Sequence, residues 1–151
     1  MALARRLVSW LVYGGSRTLR DYERCVLDFV GESLPPEDRH ALAKQLAGLD
    51  HLKRLHGDRM VTFYYEKPDT LPLLLNQGLE QRLATVLLEA GRKRVRATMV
   101  SHRGRLSSLE FNKSPTDLEG QPLRRSLVAG KPGKDGELAR EIDSMEHPEK
   151  E

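Results

Sequence analysis

The chain has 151 residues and a formal charge of +3, with 38% hydrophobic and 31% charged side chains. Those proportions point to one globular domain of ordinary size and exclude uniform disorder. No run reaches the roughly 18 apolar residues that a membrane-spanning helix needs, and the single cysteine, Cys25, excludes an internal disulfide framework and a zinc site built from several thiolates.

The first element is a helix over 2–13, with Leu3, Leu7, Trp10 and Leu11 on one stripe and a stop at Gly14-Gly15. Residues 1–20 hold Arg5, Arg6, Arg17 and Arg20 and no acid. A packed first helix is the simpler reading; a membrane-surface or organellar targeting helix is the alternative. Ser16 opens a second helix that carries Leu19, Tyr22, Val26, Phe29 and Val30 at helical spacing and closes at Gly31, with Cys25 beside the stripe as a small core residue. A third helix starts at Ser33 to Asp38, with proline in the first turn and acids at the positive end of the macrodipole. Leu42, Leu46, Leu49, Leu52 and Leu55 extend its stripe toward Gly57, and Gly48 is a point at which it can divide.

Met60 to Tyr65 is rich in β-branched and aromatic residues and reads as a strand ended by Lys67-Pro68-Asp69. In the next loop a proline precedes three leucines, which serve either as a core plug or as a partner-facing ridge; Leu71, Leu73 and Leu74 are the candidates for the latter. Leu79, Leu83, Val86, Leu87 and Ala90 fit a helix stopped by Gly91, with a strand over Ala84 to Leu88 as the alternative. Arg94 to Asn112 reads as a β-hairpin. A three-residue loop, His102-Arg103-Gly104, pairs Met99 with Ser107, Ala97 with Leu109 and Val95 with Phe111, which gives one apolar face and sets Arg96 opposite Glu110.

All eight aromatic residues lie at or before Phe111, and the segment beyond Lys113 is rich in proline and glycine. The expectation is therefore a domain over 1–112 and a flexible acidic tail over 113–151, with a short helix at 137–145 carried by Leu138, Ile142 and Met145. The tail from Lys131 holds four basic and seven acidic residues, so residues 1–130 carry +6. The fold class is α+β, with N-terminal helices packed on a small, mainly antiparallel sheet.

Residues 90–109 contain no acid and six basic side chains: Arg92, Lys93, Arg94, Arg96, Arg103 and Arg105. Such a stretch suits an anion or a partner, because the arginine fork binds phosphate or carboxylate in two-point fashion. In a hairpin, however, Arg103 and Arg105 lie about 25 Å from Arg92 to Arg94. His40, His51 and His56 fall on the third helix without a shared metal-binding face, His102 sits at the hairpin tip and His147 in the tail. Glu66 and Glu110 lie on strands and are too common a pair to identify an enzyme. No metal-binding, nucleophile-elbow or phosphate-loop pattern appears, so no cofactor, metal or catalytic residue is expected. The functional expectation is a non-enzymatic protein-binding or adaptor domain that acts through the hairpin and leucine loop. The alternative is an anion-binding module that contacts nucleic acid or anionic membrane through the arginine-rich hairpin. The lone cysteine fits the cytoplasm; an organellar or membrane-peripheral location is implied if residues 1–20 act as a targeting or surface helix.

Overall fold

The computed structural model describes residues 18–128. The helices expected over 2–13 and 137–145 lie outside them. Helix α1 (Asp21–Ser33) has Asp21 and Glu23 in its first turn, where acids complement the macrodipole, and Glu23 Oε1 accepts the Arg20 backbone N–H at 2.8 Å. Tyr22, Val26, Leu27 and Val30 form its buried stripe. Helix α2 (Pro36–Ala47) begins with proline and buries Ala41, Leu42 and Gln45.

The third helix does not run to Gly57, as its leucines suggest, but ends at Gly48, and Leu49–Leu55 is strand β1. Leu49, Leu52 and Leu55 imitate a helical stripe by their spacing, yet in the strand only Leu52 is fully buried. Its neighbour on the same face, Arg54, reaches the helix layer and meets Glu23. Strand β2 (Met60–Tyr65) occupies the span the composition indicates. A short 3₁₀ turn (Pro68–Thr70) comes next.

The helix expected from Leu79 to Ala90 is instead strand β3 (Gln81–Ala90), in line with the alternative weighed for Ala84 to Leu88. It pairs along its length with strand β4 (Lys93–His102). Val86 and Leu88 turn to the core, while Thr85 and Leu87 lie on the opposite face. Strand β5 (Arg105–Phe111) completes the second hairpin. The loop is shorter than expected: His102 pairs with Arg105, so Arg103-Gly104 is a two-residue turn. A bulge at Ser107 then shifts the register, giving Met99↔Leu109 and Ala97↔Phe111. The apolar side chains share one face, as the alternation requires, but Glu110 faces Thr98 rather than Arg96.

Beyond residue 112, where the composition places the end of the domain, the chain continues the fold. A 3₁₀ turn (Thr116–Leu118) buries Leu118, and strand β6 (Arg124–Leu127) pairs with β3. Extended proline- and glycine-rich backbone serves an edge strand as well as a tail, and composition does not separate the two. All pairings in the six-stranded sheet, ordered β1-β2-β5-β4-β3-β6, are antiparallel. The helices pack on one face, with the Tyr22 ring edge-on to Phe111 at 5.7 Å and the Arg125 guanidinium over Phe29 at 5.2 Å. The half-buried Cys25 packs against this core.

Candidate functional site

The site begins with an interruption in the sheet. Strands β2 and β5 pair only from Met60↔Glu110 to Thr62↔Ser108; the bulge at Ser107 takes β5 out of register with the rest of β2. Beyond that point, side chains replace the ladder at Leu106. Gln45 Oε1 accepts the Leu106 N–H at 2.9 Å, and the Tyr65 hydroxyl donates to the Leu106 carbonyl at 2.5 Å. Burial pushes the Tyr65 hydroxyl well above its usual pKa, against the smaller opposing influence of Arg105. It is therefore held as a neutral donor.

Where the strands part, a cleft of about 700 Å³ opens between them. Phe63, Tyr64 and Tyr65 line it from β2, and Leu106 and Ser107 from β5. From β1, His51 lies flat on Tyr64, with ring centres 4.5 Å apart and planes 6° from parallel. His51 Nδ1 is 2.7 Å from Asp50 Oδ2, which fixes the ring's orientation. Lys53, two residues along the same face, and His102 and Arg105, flanking the hairpin turn, complete the wall. Arg105 is tied to the loop beside it. Its Nε donates to the Pro68 carbonyl at 3.1 Å, and its Nη2 lies 3.4 Å from Asp69, a carboxylate almost wholly in solvent.

The β4–β5 turn also holds the leucine loop. Arg103 and Gly104 both have positive φ, 49° and 82°, the combination that suits a tight hairpin. The Arg103 N–H donates to the Gly78 carbonyl at 2.8 Å, and the Gly104 carbonyl accepts from Leu74 N–H at 2.8 Å. Gln45 Nε2 donates to that same carbonyl at 2.9 Å and to the Pro72 carbonyl at 2.8 Å. A Cβ on residue 104 would lie 3.1 Å from Leu73 Cβ, so close approach as well as backbone angle requires glycine. Leu74, expected on the partner-facing side, is the plug, 1% exposed. Its backbone bond to Gly104 draws that side chain inward. Leu71 is half-buried, whereas Leu73, Leu75 and Leu79 stand 37%, 63% and 62% exposed.

The six basic residues do not form one patch. Arg92 lies in the β3–β4 turn and Lys93 and Arg94 open β4, while Arg103 and Arg105 lie at the far end of that ten-residue strand, about 30 Å away at 3.3 Å per residue. Several face acids that lie outside the acid-free stretch: Lys93 meets Asp117 at 2.9 Å and Arg94 meets Glu89 at 3.3 Å. The Arg96 backbone N–H donates to Asn112 Oδ1 at 2.8 Å. Glu110 stands opposite Met60, at the other end of β2 from Glu66, so the two carboxylates do not converge. His40 is on α2, and His56 is in the β1–β2 turn at φ 56°; of the described histidines, His51 and His102 reach the cleft.

Sequence reasoning missed His51, Lys53, Tyr64 and Tyr65 as neighbours of the hairpin tip. Reading 49–55 as helix removed β1 from the sheet, and no spacing signal announces a ladder that stops halfway. Among the described residues, no three His, Cys, Asp or Glu side chains gather as a metal site, and no helix is long and apolar enough to cross a membrane. No protein-family model, curated protein or solved structure matches the chain.

Proposed function

We propose that the chain is a protein-binding module that meets its partner through the end of the sheet formed by the β4–β5 turn and the leucine loop. The observation that supports this most is the ridge of Leu73, Leu75 and Leu79, exposed on a loop whose backbone is tied to Gly104, Arg103 and Gln45. An exposed leucine on a mobile loop binds weakly because ordering opposes it. A ridge already fixed loses little freedom on association, and each leucine buried contributes roughly 1.5–3 kcal/mol. Arg103 supplies a cation beside the ridge for orientation. Among the described residues, the Arg92, Lys93 and Arg94 end carries no comparable ridge of exposed apolar side chains and is ion-paired at Lys93 and Arg94, so it is not the contact we favour.

The test places a photo-crosslinking side chain at position 75, and separately at position 92, in the full chain within its native cells. A discrete adduct from position 75 that survives high salt and disappears with Leu73→Asp and Leu79→Asp supports the reading. Adducts from position 92 alone would overturn it, as would none from position 75.

A further inference from the structure

We propose that the cleft between β2 and β5 is a separate binding site for a ligand that joins a planar ring to a phosphate, the chemistry of a nucleoside monophosphate. Its volume, about 700 Å³, is that of a small-molecule site and admits a base, a sugar and a phosphate together. The ring-binding element is Tyr64. It is 41% exposed, and its orientation is fixed because His51 stacks on it at 4.5 Å and is itself held by Asp50 at 2.7 Å. A pre-oriented aromatic platform is what stacking of a base requires.

The anion-binding element is the wall around that platform. Lys53 and Arg105 reach the cleft from β1 and β5, and His51 and His102 add imidazoles, against the single carboxylate of Asp50, which is engaged by His51. Two permanent cations on opposite walls suit a phosphate dianion better than a lone carboxylate. The Arg105 Nε is already committed to the Pro68 carbonyl, which sets the guanidinium in place. Its other contact is the 3.4 Å approach of solvent-exposed Asp69, a weak exposed pair that a phosphate displaces readily. The Ser107 hydroxyl, on the bulge at the cleft wall, provides a further polar contact. The opening exists because the β2–β5 ladder stops and Gln45 and Tyr65 satisfy the freed backbone of Leu106.

The test titrates the full, isotope-labelled chain with AMP, adenosine and inorganic phosphate, monitored by backbone amide NMR. The expected result is saturable binding of AMP at least tenfold tighter than of adenosine or phosphate alone, with shifts at Lys53, Tyr64, His102 and Ser107. Tyr64→Ala weakens AMP by about tenfold, the loss of one stacked base. Lys53→Gln, at an exposed position whose loss leaves the spectrum otherwise native, weakens AMP and lowers the salt dependence by about one charge. A short oligoadenylate binding far more tightly than AMP assigns the phosphate to a single-stranded chain; equal affinity per site assigns it to the free nucleotide. No shift up to about 10 mM AMP, affinity no better than that of phosphate alone, or shifts confined to Arg92, Lys93 and Arg94 would each overturn the proposal. Leu75→Asp leaves AMP binding unchanged, so this site and the leucine ridge stand or fall separately.

Discussion

Replacing Gln45 by leucine tests how the cleft and the leucine loop are held. The side chain is wholly buried and makes three hydrogen bonds of 2.8–2.9 Å, to the Pro72 and Gly104 carbonyls and from the Leu106 N–H. Leucine has a similar volume but no polar atoms. The Gly104 carbonyl keeps its bond from Leu74, so two groups, the Pro72 carbonyl and the Leu106 N–H, lose the partner shown for them. At about 1–3 kcal/mol for each orphaned group the loss is about 2–6 kcal/mol, and the added apolar contact returns on the order of 1 kcal/mol. A net destabilisation of about 1–5 kcal/mol corresponds to a urea midpoint lower by roughly 0.5–2.5 M at a slope of about 2 kcal/mol/M. Amide exchange at Leu74 and Leu106 should accelerate with it. Gln45→Glu discriminates further: it keeps an acceptor for Leu106 but turns an oxygen toward two carbonyls. Its carboxyl is then disfavoured as an anion in the fold, its folded pKa lies above the unfolded one, and the variant recovers stability as pH falls. A midpoint for Gln45→Leu within about 0.25 M of the parent, at unchanged slope, would mean that the Gln45 hydrogen bonds do not hold the loop and the cleft wall.

Two further outcomes concern buried polar groups. Arg54→Met leaves the fully buried Glu23 without the guanidinium that holds both its oxygens, and a loss of about 3–5 kcal/mol is expected in denaturant melts; Arg54→Met combined with Glu23→Leu should recover most of it. The pKa of Tyr65 is raised in the fold from 10.0, chiefly by burial, so above pH 10 the folded state holds a proton that the unfolded state releases, and stability falls as pH rises. Thermal melts at about pH 8 and about pH 11 should show a smaller fall for Tyr65→Phe than for the parent; an equal fall would remove Tyr65 from the account.

What the sequence makes legible depends on which period a segment carries. Met60 to Tyr65 is unambiguous because β-branched and aromatic residues cluster and a proline closes the run. Leu49 to Leu55 misleads because its leucines recur every three residues, while the strand's true partner on the inward face is a charge, Arg54, neutralised by Glu23 some thirty positions earlier. A buried ion pair across that separation has no local signature. At Leu83 to Leu88 the apolar run satisfies both periods, and only the neighbouring strand decides. The hairpin shows the same limit from another side. Alternation identifies the apolar face of β4 and β5, but a three-residue loop without a bulge and a two-residue loop with one both bring Ala97 and Met99 onto the face of Leu109 and Phe111. The positive φ of Arg103 belongs to the tighter solution, which composition disfavours because arginine is an uncommon first residue of such a turn.

That choice between loops shapes the candidate site. With three loop residues and a regular ladder, Ser107 pairs with Met99 and β5 can continue against β2, leaving no opening. With the bulge at Ser107, the β2–β5 ladder ends at Ser108, Leu106 takes its hydrogen bonds from Gln45 and Tyr65, and the strands part beside Tyr64 and His51. The leucine loop docks on the tight turn beside that extra residue. Removing it, by deleting Ser107, leaves the Arg103-Gly104 turn and its bond from Leu74 in place but makes the β4–β5 ladder regular, and should therefore close the cleft while the leucine loop stays docked; a substitution such as Ser107→Ala keeps the residue count and should disturb neither. The bulge, not the arginine-rich composition of the hairpin, opens the cleft.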